Sequence, residues 1–117
     1  MERDPKLSTS HVTPELIQHI TERIVASVQP RAVIVFGSHA TQEATPESDL
    51  DLFVIQDVGR SNREVRREID RLLFGRRFGL DIIVRRPEEV EANLKDHNPF
   101  YVHHIFGVGR VIYERSG

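Results

Sequence analysis

The sequence predicts an α/β fold, because apolar runs of strand length alternate with segments whose apolar residues recur at helical spacing. The strand-length runs cover residues 32–36, about 49–55 and 78–84, and are rich in Val, Ile, Leu and Phe. A chain of 117 residues suits one domain with a modest core. We therefore expect a sheet covered by helices.

Composition restricts the class of protein further. The formal net charge is −2, 38% of residues are hydrophobic, and cysteine is absent. This excludes a disulfide framework and a thiolate metal site. The first residues show no apolar leader, and no apolar run approaches transmembrane length. We expect a cytoplasmic protein without a membrane segment, in which residues 1–12 form a flexible tail and residues 13–117 form the domain.

The first helix is predicted to begin at Thr13-Pro14, where Thr suits the N-cap and Pro suits the first helical position. Apolar residues then recur at helical spacing as far as Val28. Pro30 ends the helix, because the residue before a proline is disfavoured in the α region. A buried strand over residues 32–36 should follow, since this run is too short for a helix.

The middle of the chain combines apolar strands with unusual polar residues. Gly37 interrupts the first strand, a short helix is expected over residues 38–44, and a turn over residues 45–47 leads into the second strand. In that strand Asp49 and Asp51 stand at i and i+2, so both side chains project from one face. Two adjacent carboxylates repel each other unless a cation lies between them, and Mg²⁺ prefers such oxygen ligands.

The second half repeats the alternation of helix and strand. Ser61 and Glu64 predict a capping box that begins a second long helix, and Gly75 suits its C-terminal cap. The third strand, 78–84, carries Asp81. Pro87 begins another helix, a proline at position 99 interrupts it, residues 100–106 suit a short helix that packs in the core, and residues 110–114 suit an edge strand.

Each polar candidate also has an ordinary interpretation. Asp49 and Asp51 could form a turn or cap pair without metal, and Gly37-Ser38 could be a plain turn. Asp81 could reach solvent or an arginine at the end of its strand. We favour a functional cluster, because an unpaired carboxylate inside an apolar strand is costly. Gly37 would then let the backbone approach a phosphate, and Ser38 would begin a helix whose free N–H groups favour one.

The segment between residues 60 and 86 holds nine arginines against four acids. Pairs at i,i+3 and i,i+4, namely Glu64–Arg67, Glu68–Arg71 and Arg66–Asp70, predict a solvated helix face with ion pairs. The alternative is a basic surface for nucleotide phosphates or an acidic partner. We favour the solvated face.

Gly37-Ser38 followed by Ser48-Asp49-Leu50-Asp51-Leu52 resembles the Gly-Ser…Asp-x-Asp signature of the polymerase-β-like nucleotidyltransferases. The short chain resembles the minimal members found beside HEPN proteins in prokaryotic toxin–antitoxin pairs, over roughly residues 16–113. The resemblance implies a mixed sheet flanked by helices, with Mg²⁺ as cofactor and ATP as substrate. The family commonly has Arg-Gly where this chain has Thr41-Gln42.

The resemblance also implies roles for individual residues. Asp49, Asp51 and Asp81 would be catalytic and would hold the metal, with Asp81 also able to act as the base. Gly37 and Ser38 would bind the nucleotide through its β- and γ-phosphates.

Three functions remain open from the sequence. The first is a magnesium-dependent nucleotidyltransferase that moves AMP from ATP to a protein hydroxyl, a tyrosine of a HEPN toxin, and so acts as an antitoxin. The second is an antitoxin of the same fold that neutralises its partner by binding alone, which the change to Thr41 and Gln42 favours. The third is an unrelated α/β domain whose carboxylates bind one metal. We expect no direct binding of nucleic acid.

Overall fold

A four-stranded mixed sheet is the centre of the molecule in a computed structural model that describes residues 4–116. The strands lie in the order β3-β2-β1-β4. They span Ala32–Phe36 (β1), Leu50–Ile55 (β2), Leu80–Arg85 (β3) and Arg110–Glu114 (β4). β1 is antiparallel to both of its neighbours, and β2 is parallel to β3. The predicted α/β class with a mixed sheet is therefore confirmed.

Helices cover both faces of the sheet. They span Pro14–Val28 (α1), Ser38–Thr41 (α2), Asn62–Leu72 (α3) and Pro87–Lys95 (α4), and a π-helix spans Phe100–Ile105. The predicted N-terminal caps of α1 and α3 form as expected. The hydroxyl of Thr13 accepts a hydrogen bond from the N–H of Leu16 at 3.1 Å, and Ser61 and Glu64 form the reciprocal capping box. No helix within residues 4–116 is both long enough and apolar enough to cross a lipid bilayer.

The alternation of side chains along β2 divides the core into two layers. Leu50, Leu52 and Val54 pack towards α1 and α3. Phe53 and Ile55 face the opposite side, where α4 and the π-helix lie. The rings of Phe53 and Tyr101 meet edge to face with centroids 5.6 Å apart, so the aromatic segment is core packing, as predicted. Asp51 and, just before β2, Asp49 stand at odd-numbered positions, so their carboxylates lie on the face of the sheet that α4 covers.

The flexible tail predicted for residues 1–12 is wrong for residues 4–12. Pro5–Leu7 form a 3₁₀ turn, and the side chains of Leu7 and Val12 are buried in the core beside α1. The Asp4 carboxylate contacts His19 and Arg23, and the hydrogen bond from His19 is the main reason that the pKa of Asp4 is lowered. Two isolated apolar residues have no periodicity to reveal this packing. The rest of the predicted tail lies outside the described residues.

Several predicted boundaries shift because the chain turns earlier or later than local composition indicates. α2 ends at Thr41 instead of 44, since Gln42 adopts a left-handed conformation with φ of 64°. α3 is capped by Leu73, and Gly75 lies in the turn beyond it with φ of 89°. β3 covers Leu80–Arg85, two residues later at its start than predicted.

The two edges of the sheet differ. β4 pairs Tyr113 with Val33 and Val111 with Ile34, so Ile112 is an extra residue that forms a bulge. β3 pairs residue by residue with β2 from Leu80 to Arg85 without such an interruption. One edge strand is therefore kinked and the other is regular.

Candidate active site

Gly37 forms the wall of the site at the end of β1. Its φ is 72°, a conformation that glycine adopts without steric cost. A Cβ atom at this position would lie 2.2 Å from Oδ2 of Asp51. Phe36, the preceding residue, is the register partner of Asp51 across β1 and β2. Gly37 is therefore required both by the backbone conformation and by the space that the Asp51 carboxylate occupies.

Asp51 and Asp81 are direct register partners on the parallel strands β2 and β3. Burial raises the pKa of Asp51 above its usual value, and the charge and hydrogen bonding of Asp81 and then the charge of Asp49 raise it further. The environment thus disfavours the ionised form of Asp51. The prediction that Asp81 lies beside the first two carboxylates, on a neighbouring strand, agrees with this register.

Asp49 lies one residue before β2, and its carboxylate occupies the space that a side chain at position 79 would fill. The N–H of Leu50 donates to the Gly79 carbonyl at 2.9 Å, which places Asp49 beside Gly79 at the start of β3. A Cβ atom on Gly79 would lie 1.8 Å from Oδ1 of Asp49. Sequence reasoning missed Gly79, although a glycine next to an apolar strand often marks a close approach of another group.

His39 is a second residue of the site that sequence reasoning missed. Its Nε2 lies 3.0 Å from the Ser48 carbonyl oxygen, and since a carbonyl only accepts, Nε2 is the donor. The half-buried ring connects α2 to the segment that leads into Asp49 and Asp51. His39 also opposes the upward shift in the pKa of Asp51 through its charge interaction with that carboxylate. The only sequence signal for this role was its position directly after Gly37-Ser38.

The loop after α2 keeps a compact turn without the glycine that the family commonly has there. Gln42 adopts the left-handed conformation in its place, and the N–H of Glu43 donates to the Ser38 carbonyl at 3.2 Å. The Thr41 hydroxyl donates to the Glu43 carboxylate at 2.8 Å. The departure at Thr41-Gln42 therefore removes a cation but does not open the loop. Ser38 stands half-buried as the first residue of α2, and its predicted contact with phosphate stays a prediction.

The donor set suits a hard divalent cation in its chemistry. Asp49, Asp51 and Asp81 offer carboxylate oxygens from one end of β2 and β3, and the raised pKa of Asp51 reflects a repulsion that such a cation would relieve. Within residues 4–116 no three or more Asp, Glu or His side chains are grouped so that they could hold a metal ion as the chain stands. The exposed side chains of Asp49 and Asp81 would have to move before the three carboxylates could bind one cation together.

Groove size alone does not identify this site. A groove of about 620 Å³ lies between α1 and β4, with Ile17, Val25 and Ile112 in its lining. None of the three carboxylates lines it. We assign the site from the convergence of charged groups, because a group whose pKa is shifted by a specific neighbour is a better indicator of chemistry than volume.

Comparison with known proteins agrees with the fold. The chain matches the family model described as polymerase beta, nucleotidyltransferase, over residues 18–117. It is similar to a protein from Sulfolobus solfataricus whose crystal structure carries a provisional assignment as a nucleotidyltransferase. The two are 21% identical, the match covers 86% of this chain and 79% of that one, and the TM-score is 0.57. No curated protein matches the sequence.

Proposed function

The chain belongs to the polymerase beta, nucleotidyltransferase family, and from this premise we propose that it transfers AMP from ATP to a hydroxyl group of a protein. The observation that carries the proposal is the register pair Asp51–Asp81 with Asp49 beside it, which would repel one another without a cation. The acceptor that we propose is a tyrosine of a HEPN-family toxin in the cytoplasm. The chain would then be the antitoxin.

The reaction follows from the chemistry of these side chains. The acceptor oxygen attacks the α-phosphorus of ATP, the bond between that phosphorus and the bridging oxygen to the β-phosphate breaks, and pyrophosphate leaves. Asp81 accepts the proton of the hydroxyl, since it is exposed and stands at the mouth of the site. Asp49, Asp51 and Asp81 would hold Mg²⁺, which when bound neutralises phosphate charge and lowers the pKa of the hydroxyl.

Gly37 and Ser38 would hold the β- and γ-phosphates. Gly37 ends β1 with a backbone that no side chain of its own shields, and since the space on its Cβ side holds the Asp51 carboxylate, a phosphate would approach this backbone from another side. Phosphate held there would lie next to Asp51, because Asp51 contacts the space where a Gly37 side chain would be. Nucleotide and metal ligands would thus be neighbours.

A protein acceptor is supported by how open the site is. The side chains of Asp49 and Asp81 are both exposed, and neither lines a described cavity that could enclose a small acceptor. An acceptor hydroxyl would therefore have to be positioned by its own scaffold. A partner protein that docks beside β3 meets this requirement, because docking supplies the orientation on which the rate depends.

The second candidate function is neutralisation of the partner by binding alone. Thr41 favours it, since this position lacks the cation that the family commonly places near the phosphates, and its hydroxyl is instead bonded to Glu43. The fold and the docking surface would then persist without catalysis.

Mass spectrometry of the partner separates the two functions. Co-expression with the proposed HEPN partner should yield a partner that carries the mass of one AMP on a tyrosine. Asp81→Asn should remove the added mass and leave the complex intact. Asp96→Asn, an exposed position at the end of α4, is the matched control and should leave the modification in place. An unmodified partner that is still neutralised would contradict transfer and support binding alone.

A further inference from the structure

The outer edge of β3 presents backbone groups that no other strand satisfies. Gly79 and Arg85 direct their carbonyls to β2, accepting from Leu50 and Gln56 at 2.9 Å each. Because successive residues of a strand point their polar groups to opposite sides, Leu80, Ile82 and Val84 direct theirs outward. The Val84 carbonyl accepts from the guanidinium of Arg85 at 2.7 Å, which agrees with this assignment. Among residues 4–116, β3 has β2 as its one neighbour.

Three arginines surround this edge. A groove of about 240 Å³ runs between α3 and β3 and is lined by Arg63, Arg66, Arg85 and Asn62 together with residues 82–84. Within the described part of the chain, none of the three arginines takes part in an ion pair. The groove therefore concentrates positive charge, which the protein offsets only in part through the charge of Glu89 near Arg85.

Of the attractive pairs predicted along α3, Glu64–Arg67 and Glu68–Arg71 interact through their charges, whereas Arg66 and Asp70 form no ion pair within residues 4–116. Glu68 contacts Arg60, and Asp70 contacts Arg76 at 3.2 Å, so these acids are taken by arginines outside the groove. Glu89 lies near Arg85, but its carboxylate accepts hydrogen bonds from the Asn62 side chain at 2.7 Å and the Arg86 N–H at 2.9 Å. The acids that could neutralise Arg63 and Arg66 are engaged elsewhere.

We propose that the β3 edge binds an extended acidic segment of the acceptor protein as an added strand. An added strand satisfies the outward N–H and C=O groups of Leu80 and Ile82, and its carboxylates meet the three arginines. A second copy of this chain fits less well, since its own β3 would bring one carboxylate, Asp81, together with a further arginine, Arg85, to these three arginines. Single-stranded nucleic acid fits less well, because no aromatic side chain lines the groove for bases to stack on.

This edge leads to the proposed catalytic carboxylates. Asp81 and Arg85 lie on the same strand, four residues apart, which corresponds to about 13 Å at the usual rise of a strand. Arg63 and Arg66 line this edge from the α3 side, whereas Asp81 stands at an odd-numbered position and belongs to the α4 side. A segment bound along β3 would therefore place a hydroxyl side chain beside Asp81 when that side chain stands an odd number of residues, about three or five, from the acidic residues that face Arg63 and Arg66. The proposal names the acceptor class as a Tyr, Ser or Thr at that spacing, and in this respect it rests on the proposed function.

Binding of a designed peptide tests the surface without metal or nucleotide. The probe is a fluorescein-labelled extended peptide of about twelve residues with three alternating glutamates and one tyrosine at an odd spacing of about three or five residues from the nearest glutamate. Arg63→Ala/Arg66→Ala should weaken its binding, measured by fluorescence anisotropy, by about tenfold or more. The matched double variant Arg67→Ala/Arg71→Ala removes the same charge from α3 outside the groove and should change binding less than about twofold.

Amide hydrogen exchange tests the added strand itself. Saturating peptide should protect the N–H groups of Leu80, Ile82 and Val84, which face outward, beyond the change at the neighbouring amides that already bond to β2. Contacts made only by arginine side chains would not produce this pattern. Equal weakening by the two double variants, absence of the alternating protection, or tighter binding of a single-stranded oligonucleotide of equal charge would each overturn the proposal.

Transfer is measured separately, so that the two ideas can fail independently. If the peptide binds at β3 and is not adenylylated with ATP and Mg²⁺, the docking surface stands and the proposed transfer fails for this acceptor. If the HEPN partner is modified at the same rate by wild type and by Arg63→Ala/Arg66→Ala, the docking surface is wrong and the transfer stands.

Discussion

Asp51 and Asp81 stand opposite each other as register partners on the parallel strands β2 and β3. Such a pair carries an energetic cost in the ligand-free protein, because burial and mutual repulsion both disfavour ionisation. Residues kept at the expense of stability are typical of sites that bind a ligand.

Removing one charge of the pair should stabilise the ligand-free protein at neutral pH. The pKa of Asp51 is raised, chiefly by burial and then by Asp81, so the ionised form costs stability above the native pKa. Asp51→Asn should therefore raise Tm at pH 7 by about 2–4 °C. The gain should shrink as the pH falls through the native pKa towards the usual value of 3.8. Asp96→Asn is the control, and a gain independent of pH would contradict this origin.

ATP with Mg²⁺ should stabilise the native chain, because a ligand that binds only the folded state raises the free energy of unfolding by mass action. At about 100 times the dissociation constant we expect about 2.7 kcal/mol, or a rise in Tm of about 5–10 °C. Asp49→Ala should abolish the part of the rise that depends on Mg²⁺, whereas Asp96→Ala should keep it. An Asp49→Ala protein with the full magnesium-dependent rise would exclude Asp49 as a ligand.

Gly79→Ala should damage the site without unfolding the protein. The new Cβ would occupy the place of the Asp49 carboxylate, which is exposed and can move aside. We expect a change in the free energy of unfolding below about 0.5 kcal/mol, but a loss of AMP transfer of about tenfold or more, because the displaced carboxylate is misplaced. Adding Asp49→Ala should cause little further loss. Additive losses would show that Gly79 acts independently of Asp49.

Gly37→Ala should cost more than the same change at Gly59. Both glycines have φ between 70° and 80°, and nothing lies within 4 Å of the Cβ position of Gly59. Gly59→Ala should therefore cost mainly the positive φ, about 1 kcal/mol. Gly37→Ala should cost about 2–4 kcal/mol more, because its ψ of −153° lies in a region that essentially only glycine adopts and because the new Cβ would clash with Asp51. Urea unfolding measures both. In an Asp51→Ala background the excess at Gly37 should shrink to the backbone part, and an undiminished excess would exclude the clash as a cause.

Gln42→Gly should stabilise the protein by about 0.5–1 kcal/mol. Gln42 is held at φ of 64°, and glycine relieves this strain at the end of α2. Gln18→Gly is the matched control, since the same substitution inside α1 should cost about 1 kcal/mol. Thermal and urea unfolding compare the two. A destabilised Gln42→Gly protein would mean that the Gln side chain makes a contribution larger than the strain.

The sequence predicted the carboxylates of the site because strand geometry is local. The spacing of Asp49 and Asp51 determines that both lie on one face, and Asp81 could be placed beside them once a third strand was recognised. The roles of these residues in binding and catalysis stay predictions. The capping box at Ser61 and Glu64 could equally be predicted from the sequence, since both partners lie within one turn of the helix.

What escaped prediction depends on contacts between distant segments. Gly79 matters only because the register of β2 and β3 places it beside Asp49, and no local pattern determines that register. His39 contacts Ser48, which lies nine residues further along the chain, and the composition of the loop between them gives no sign of this contact. The attraction predicted between Arg66 and Asp70 was also misjudged, because Asp70 contacts Arg76 beyond the end of α3, which spacing within the helix does not consider.

The bulge at Ile112 limits how many chains can join this sheet. A kinked edge interrupts the regular ladder that an incoming strand needs, so β4 resists extension while β3 remains open. A sheet that can lengthen at one end alone forms a complex of fixed stoichiometry and does not propagate from copy to copy. The irregular pairing of a single residue thus restricts edge-to-edge assembly to one added strand per chain and opposes fibril growth.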